Sequence, residues 1–181
     1  MREAVVLREG GVGIIATDTL YGLVAAAANE EAVRRVCKLK NRALTKQSIV
    51  LLSSLEDLAG FGIGLTEQRE QVLERYWSGP TSVVMPCGPA VPEYLHAGTQ
   101  TLAFRLPNDE PLRAFIRESG PLIAPSANPE GQAPATTIEE AQKYFGSEVD
   151  FYLDSGERRG EPSTLIALSE NNEVTVLRQG R

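Results

Sequence analysis

The chain has 181 residues, 42% of them hydrophobic and 23% charged, with a formal net charge of −6 at pH 7. That composition belongs to a folded globular protein, and the length suits a single domain, residues 1–181, with a core of its own. The negative balance excludes a global positive field for nucleic acid or anionic lipid, and two cysteines with one histidine exclude a His/Cys zinc constellation.

No basic-then-apolar leader opens the chain, and no apolar run approaches the length that spans a bilayer. The expectation is a reduced, cytoplasmic protein with no membrane partner, in preference to one with a Cys37–Cys87 disulfide.

In chain order, apolar and β-branched runs alternate with helical patterns. The first strand is expected over Val12–Thr17. The preceding GGVG (Gly10–Gly13) comes before a strand instead of joining a strand to a helix, so it is a turn and not a dinucleotide fingerprint. A helix follows over Glu30–Lys40, with Ala32, Val33, Val36 and Cys37 on its buried face and Arg34, Arg35 and Lys38 largely on its solvated one. Strands are then expected at Ser48–Ser53, Thr81–Pro86, Thr101–Leu106, Leu122–Pro125, Phe151–Asp154, Thr164–Leu168 and Val174–Arg178. Further helices are expected at Thr66–Trp77, Asp109–Ser119 and Thr137–Phe145, the last capped by Thr136 or Thr137. The pattern describes an α/β (α+β) fold: a twisted mixed parallel/antiparallel sheet with flanking helices. The closing strands, with no helix between them, predict a partly antiparallel edge.

One passage departs from the acidic character of the whole. Between Ala32 and Leu55 there is no Asp or Glu, while Lys38, Lys40, Arg42 and Lys46 crowd together in CKLKNRALTK. Lys40, Arg42 and Lys46 lead from the helix into a strand, the kind of connection where α/β proteins hold ligands, and they make a natural polyphosphate clamp. Known nucleotide and hydrolase signatures are missing: there is no GxxxxGK[ST] loop and no GxSxG elbow, and His96 makes no triad with any serine.

Further strings carry hydroxyls or amides at strand ends. ATDTLYG (Ala16–Gly22) offers Thr17, Asp18, Thr19 and Tyr21 in a turn. APSANPEG (Ala124–Gly131) offers Ser126 and Asn128 between prolines. EPSTLIAL and VTVLRQGR contribute Ser163, Thr164 and Arg178 near the end. Each alone reads as a turn or cap. Together and in this order, TDTLYG, KNR, SGPTS, PSAN, PSTL and LRQG resemble the YrdC/TsaC family of threonylcarbamoyl-AMP synthases, in its short single-domain form. The resemblance runs from about Val12 to Gly180.

What the resemblance implies is specific. The expected fold is YrdC-like, its sheet bordering a concave basic cavity. The expected reaction joins L-threonine, bicarbonate and ATP, with Mg2+, into threonylcarbamoyl-adenylate and pyrophosphate. A downstream tRNA threonylcarbamoyl transferase complex then modifies adenosine 37 of tRNA. By motif matching, Lys40 and Arg42 are the catalytic cations, and Lys40, Arg42, Lys46, Thr101, Ser126, Asn128 and Arg178 hold ATP. Thr19, Tyr21, Arg105 and Ser163 line the threonine pocket, with Arg105 on the amino acid's carboxylate. No residue is expected to bind a metal directly. Chemically, two anions must meet while charge grows on a departing pyrophosphate, and fixed cations and N–H donors answer that need.

The chain departs from the family pattern at Ala43, Gln47 and Ser78, where proline (or, at 47, glycine) is common; the changes at 43 and 47 predict a looser cationic loop. The rival reading is a tRNA- or double-stranded-RNA-binding YrdC-like module without synthase activity. RNA recognition wants a long positive stripe or stacking aromatics, whereas aromatics are 6% of this chain and its cations concentrate in one loop.

Overall fold

Nine strands form one mixed sheet in the computed structural model of the protein, which describes residues 1–43, 48–160 and 162–180. They are β1 (Val12–Ala16), β2 (Tyr21–Ala26), β3 (Ile49–Leu51), β4 (Thr81–Pro86), β5 (Thr101–Arg105), β6 (Leu122–Ile123), β7 (Phe151–Leu153), β8 (Thr164–Leu168) and β9 (Val174–Arg178). Across the sheet the order is β7-β1-β2-β6-β3-β5-β4-β8-β9. The pairs β1/β7, β3/β5 and β4/β8 are parallel, and the other neighbours antiparallel. The antiparallel β8/β9 pair forms one edge, as the closing strands suggested. β7 does not join them; it lies at the opposite edge, parallel to β1.

The helices are α1 (Arg2–Arg8), α2 (Glu30–Leu39), α3 (Glu67–Glu74), α4 (Glu93–His96), α5 (Glu110–Ser119) and α6 (Ile138–Phe145), with a 3-10 helix at Leu55–Phe61. Side-chain caps explain where four of them begin. Asn29, Thr66, Asp109 and Thr137 accept from the backbone N–H of Ala32, Arg69, Leu112 and Glu140, satisfying donors that a helix start leaves open. Among the described residues, no helix is long and apolar enough to cross a membrane. Cys37 is buried and both cysteines are free thiols.

Strand alternation divides the interior into two layers. Val12, Ile14, Leu23, Ala25, Val50, Leu52, Val83, Met85, Leu102, Phe104 and Ile166 face one way, into a core shared with α2, α3, α4 and α6. On the other face, Ile15, Val24, Leu51, Leu122 and Ala124 pack beneath Ala4 and Leu7 of α1 and Leu112, Phe115 and Ile116 of α5. Further along that second face, Ala103, Val84 and Leu165 line an open cavity of about 410 Å³. The hollow therefore follows from unequal cover. One face of the sheet is roofed from β1 to β8, while α1 and α5 cover only part of the other.

Candidate functional site

Strand ends from distant parts of the chain converge on this cavity. Thr17, Thr19, Leu20, Tyr21 and Gly22 come from the β1–β2 turn, Arg42 and Ser48 from the α2–β3 connection, and Arg105 from the end of β5. Ser126 follows β6, Ser163 precedes β8, and Arg178 ends β9. Among the described residues, three guanidinium groups and no carboxylate line it. The lining thus reverses the charge of the whole protein and suits anions held away from bulk water.

The first turn is built around Thr17. Its hydroxyl donates to the Leu20 carbonyl at 2.7 Å and lies 3.1 Å from the Thr19 hydroxyl. It also accepts from Arg105 Nη2 at 3.2 Å. The same Arg105 nitrogen is 3.0 Å from Asp18 Oδ1, in a pair whose side chains are 5% and 9% exposed. The contact is a buried ion pair, and the backbone N–H groups of Asp18 itself and of Asn108 also act on the carboxylate and favour its charged form. Burial raises the Asp18 carboxyl above its ordinary value even with Arg105 beside it. Burial likewise lowers the Arg105 guanidinium, against the pull of Asp18. Arg105 thus reaches the cavity already carrying a buried counterion, with its Nε free of hydrogen bonds. Sequence reasoning noticed Thr17 and Asp18 as turn residues but gave neither a part in holding Arg105.

Tyr21 lines the cavity, yet its hydroxyl is spent on the segment that follows β7. Its single proton goes to the Gly156 carbonyl at 2.8 Å, with Asp154 Oδ1 at 3.2 Å, and it accepts from Ser155 N at 3.1 Å. The same segment crosses the first turn so closely that a Cβ on Gly160 would lie 1.9 Å from the Thr19 carbonyl oxygen. Tyr21→Phe leaves Ser155 N–H and Gly156 C=O without these partners. It is expected to lower stability by about 1–3 kcal/mol in urea unfolding, and to make the 154–160 segment easier to cleave by limited proteolysis.

Ser163 is 3% exposed, and its hydroxyl is 2.9 Å from that of Ser82 on β4. Arg178 Nη2 donates to the Ser163 carbonyl at 2.8 Å, which ties β9 to the cavity wall. Arg42 is half-buried, and burial lowers its guanidinium below the ordinary value.

Lys40 takes a different course from the one its motif predicts. It caps α2, is 4% exposed and is absent from the cavity lining. Its Nζ donates to the backbone carbonyls of Ser126 and, at 2.6 Å, Asn128. Asn128 is likewise buried and outside the lining, whereas Ser126 is on it. Thr101 stands at the opposite end of β5 from Arg105, its hydroxyl 3.1 Å from that of Thr99, and is not among the lining residues. Lys46 lies outside the described residues. Upstream, the basic helix face is not merely solvated: Arg34 pairs with Glu30 at 2.6 Å and Arg35 with Asp150 at 2.6 Å.

The mixed sheet with its flanking helices is a YrdC-like α/β fold. The pattern of the Sua5/YciO/YrdC family, described as "Telomere recombination", matches residues 5–180, and the chain belongs to that family. The threonylcarbamoyl-AMP synthase of Pyrococcus abyssi is 34% identical over 176 residues, spanning 96% of this chain and 52% of that protein. The synthase of Idiomarina loihiensis is 32% identical over 167 residues and 90% of both chains. The crystal structure of Pyrococcus abyssi Sua5 complexed with L-threonine superimposes with a TM-score of 0.90 at 33% identity, covering 99% of this chain and 53% of that one. The chain thus spans about half the length of its Pyrococcus relative.

Proposed function

We propose that the protein condenses L-threonine, bicarbonate and ATP into threonylcarbamoyl-adenylate and pyrophosphate. The observation that carries this reading is the convergence of Arg42, Arg105 and Arg178 on one concave site whose described lining holds no carboxylate. In the reaction, the threonine amine and bicarbonate first lose water to give a carbamate. A carbamate oxygen then forms a bond to the α-phosphorus, and the bond to the pyrophosphate oxygen breaks. The carbamate and the triphosphate are both anionic, so fixed guanidinium groups lower the barrier by screening repulsion and stabilising the leaving group. No protein nucleophile is required.

In this reading Arg42 and Arg178 take the phosphates, a role the sequence motif also gives to Lys46. Arg105, Thr19 and Ser163 take the amino acid, whose binding to a 33% identical relative supports the assignment. Mg2+ enters with the nucleotide in this reading, held by phosphate oxygens and water as part of the substrate. The product would pass to a transferase complex acting on tRNA. The test is pyrophosphate release by the purified protein with each substrate omitted in turn. Release should require threonine, bicarbonate and ATP together, and release indifferent to threonine would overturn the proposal.

A further inference from the structure

The turn after β6 holds its shape around a buried ammonium group. Lys40 Nζ reaches the carbonyls of Ser126 and Asn128 and lies 3.5 Å from Asn128 Oδ1, while the Glu130 N–H returns to the Lys40 carbonyl at 2.7 Å. Asn128 Nδ2 donates to the carbonyls of Pro129 at 2.9 Å and Gln132 at 2.8 Å. Carbonyl oxygens only accept, so these two bonds fix the amide with its oxygen toward Lys40 and Ser126. That oxygen accepts the Ser126 hydroxyl proton at 2.6 Å. Having given up its proton, Ser126 Oγ offers the cavity lone pairs.

We propose that Lys40 and Asn128 are positioning residues that hold Ser126 Oγ as a hydrogen-bond acceptor facing the cavity, so that this serine receives an N–H or O–H group of a substrate and not a phosphate oxygen. The inference rests on the site accepting ATP and L-threonine, and it reassigns Lys40 from a phosphate ligand to the support of another residue. Three oxygens surround an ammonium with three N–H donors, which leaves no proton for a phosphate unless the turn opens.

A double-mutant cycle read by calorimetry tests this, with ATP, L-threonine and inorganic tripolyphosphate as separate probes. Whichever of ATP and L-threonine Ser126→Ala weakens, by about tenfold, Lys40→Met should weaken at least as much, and the double variant no further than Lys40→Met. Tripolyphosphate affinity should be unchanged by either substitution and fall on Arg42→Ala. Should Lys40→Met not fold, Asn128→Ala takes its place in the same cycle.

A second readout is pH. Burial, then the charge of Arg42, brings Lys40 down to about 8, while Glu130 and Cys37 act the other way. Above that pH a neutral amine has two donors for three oxygens, so the affinity that depends on Ser126 should fall as pH rises through about 8 in the wild type and not in Lys40→Met. Additive losses, a loss of tripolyphosphate binding on Lys40→Met, or no effect of Ser126→Ala would each overturn the inference. Wild-type protein that binds neither ATP nor L-threonine would overturn the functional reading, and this one with it.

Discussion

Replacing Arg42 with alanine is expected to slow threonine-dependent pyrophosphate release by on the order of 10²–10³-fold, the loss seen when one preorganised charge-stabilising donor is removed from an active site. The expectation follows from position. Arg42 lies just beyond α2, half-buried at the cavity wall, and its backbone N–H is fixed to the Cys37 carbonyl at 3.0 Å. A cation partly withdrawn from water acts on a phosphate through a lower effective dielectric than a surface cation does. Growing charge on the departing pyrophosphate should be felt there more strongly than the charge of bound ATP, so kcat should fall further than affinity. Arg42 belongs to neither hydrophobic cluster, and the variant should keep the far-ultraviolet circular dichroism of the wild type. Normal turnover would show that this arginine is only part of the surface.

The second large effect concerns Arg105 and Asp18. Arg105→Met should destabilise the protein by about 3–5 kcal/mol in urea unfolding, because it strands the Asp18 carboxylate in a buried position with its counterion gone. Adding Asp18→Asn should restore most of that stability, since a neutral amide beside a thioether has no charge to desolvate. Activity should not return with it. If Arg105 receives the amino-acid carboxylate, the stable double variant should still show a greatly raised KM for L-threonine. A double variant with wild-type KM would assign the pair to stability alone.

Much of the architecture was readable in the chain, and the exceptions have physical causes. Eight of the strands carry β-branched runs or alternation that mark them in sequence. β2 does not: Tyr21–Ala26 is buried throughout, so Leu23 and Ala25 feed one core while Val24 feeds the other, and no polar residue marks an outer face. β6 keeps only Leu122–Ile123 of the four residues expected. Pro125 has no N–H to extend a ladder, although its carbonyl still accepts from Leu23 N at 2.9 Å. The short helices α1 and α4 and the 3-10 turn span too few residues for a clear period.

Motif matching singled out Thr19, Tyr21, Arg42, Arg105, Ser126, Ser163 and Arg178, and these residues line one cavity. The directions of side chains were not legible. Nothing in KNR reveals that the lysine turns inward to a loop some 86 residues away. Likewise nothing in TDT reveals that Asp18 meets an arginine from β5. Such pairings are properties of the sheet order, which local patterns do not encode.

In the proposed reaction the hollow lined by Arg42, Arg105 and Arg178 receives a nucleotide triphosphate beside an amino acid. A crystal structure of the protein with L-threonine and a non-hydrolysable ATP analogue measures this directly. The phosphates should lie within hydrogen-bond distance of Arg42 and Arg178, with the threonine carboxylate at Arg105. Phosphates lodged outside the cavity, or arginine side chains turned away into solvent, would contradict it.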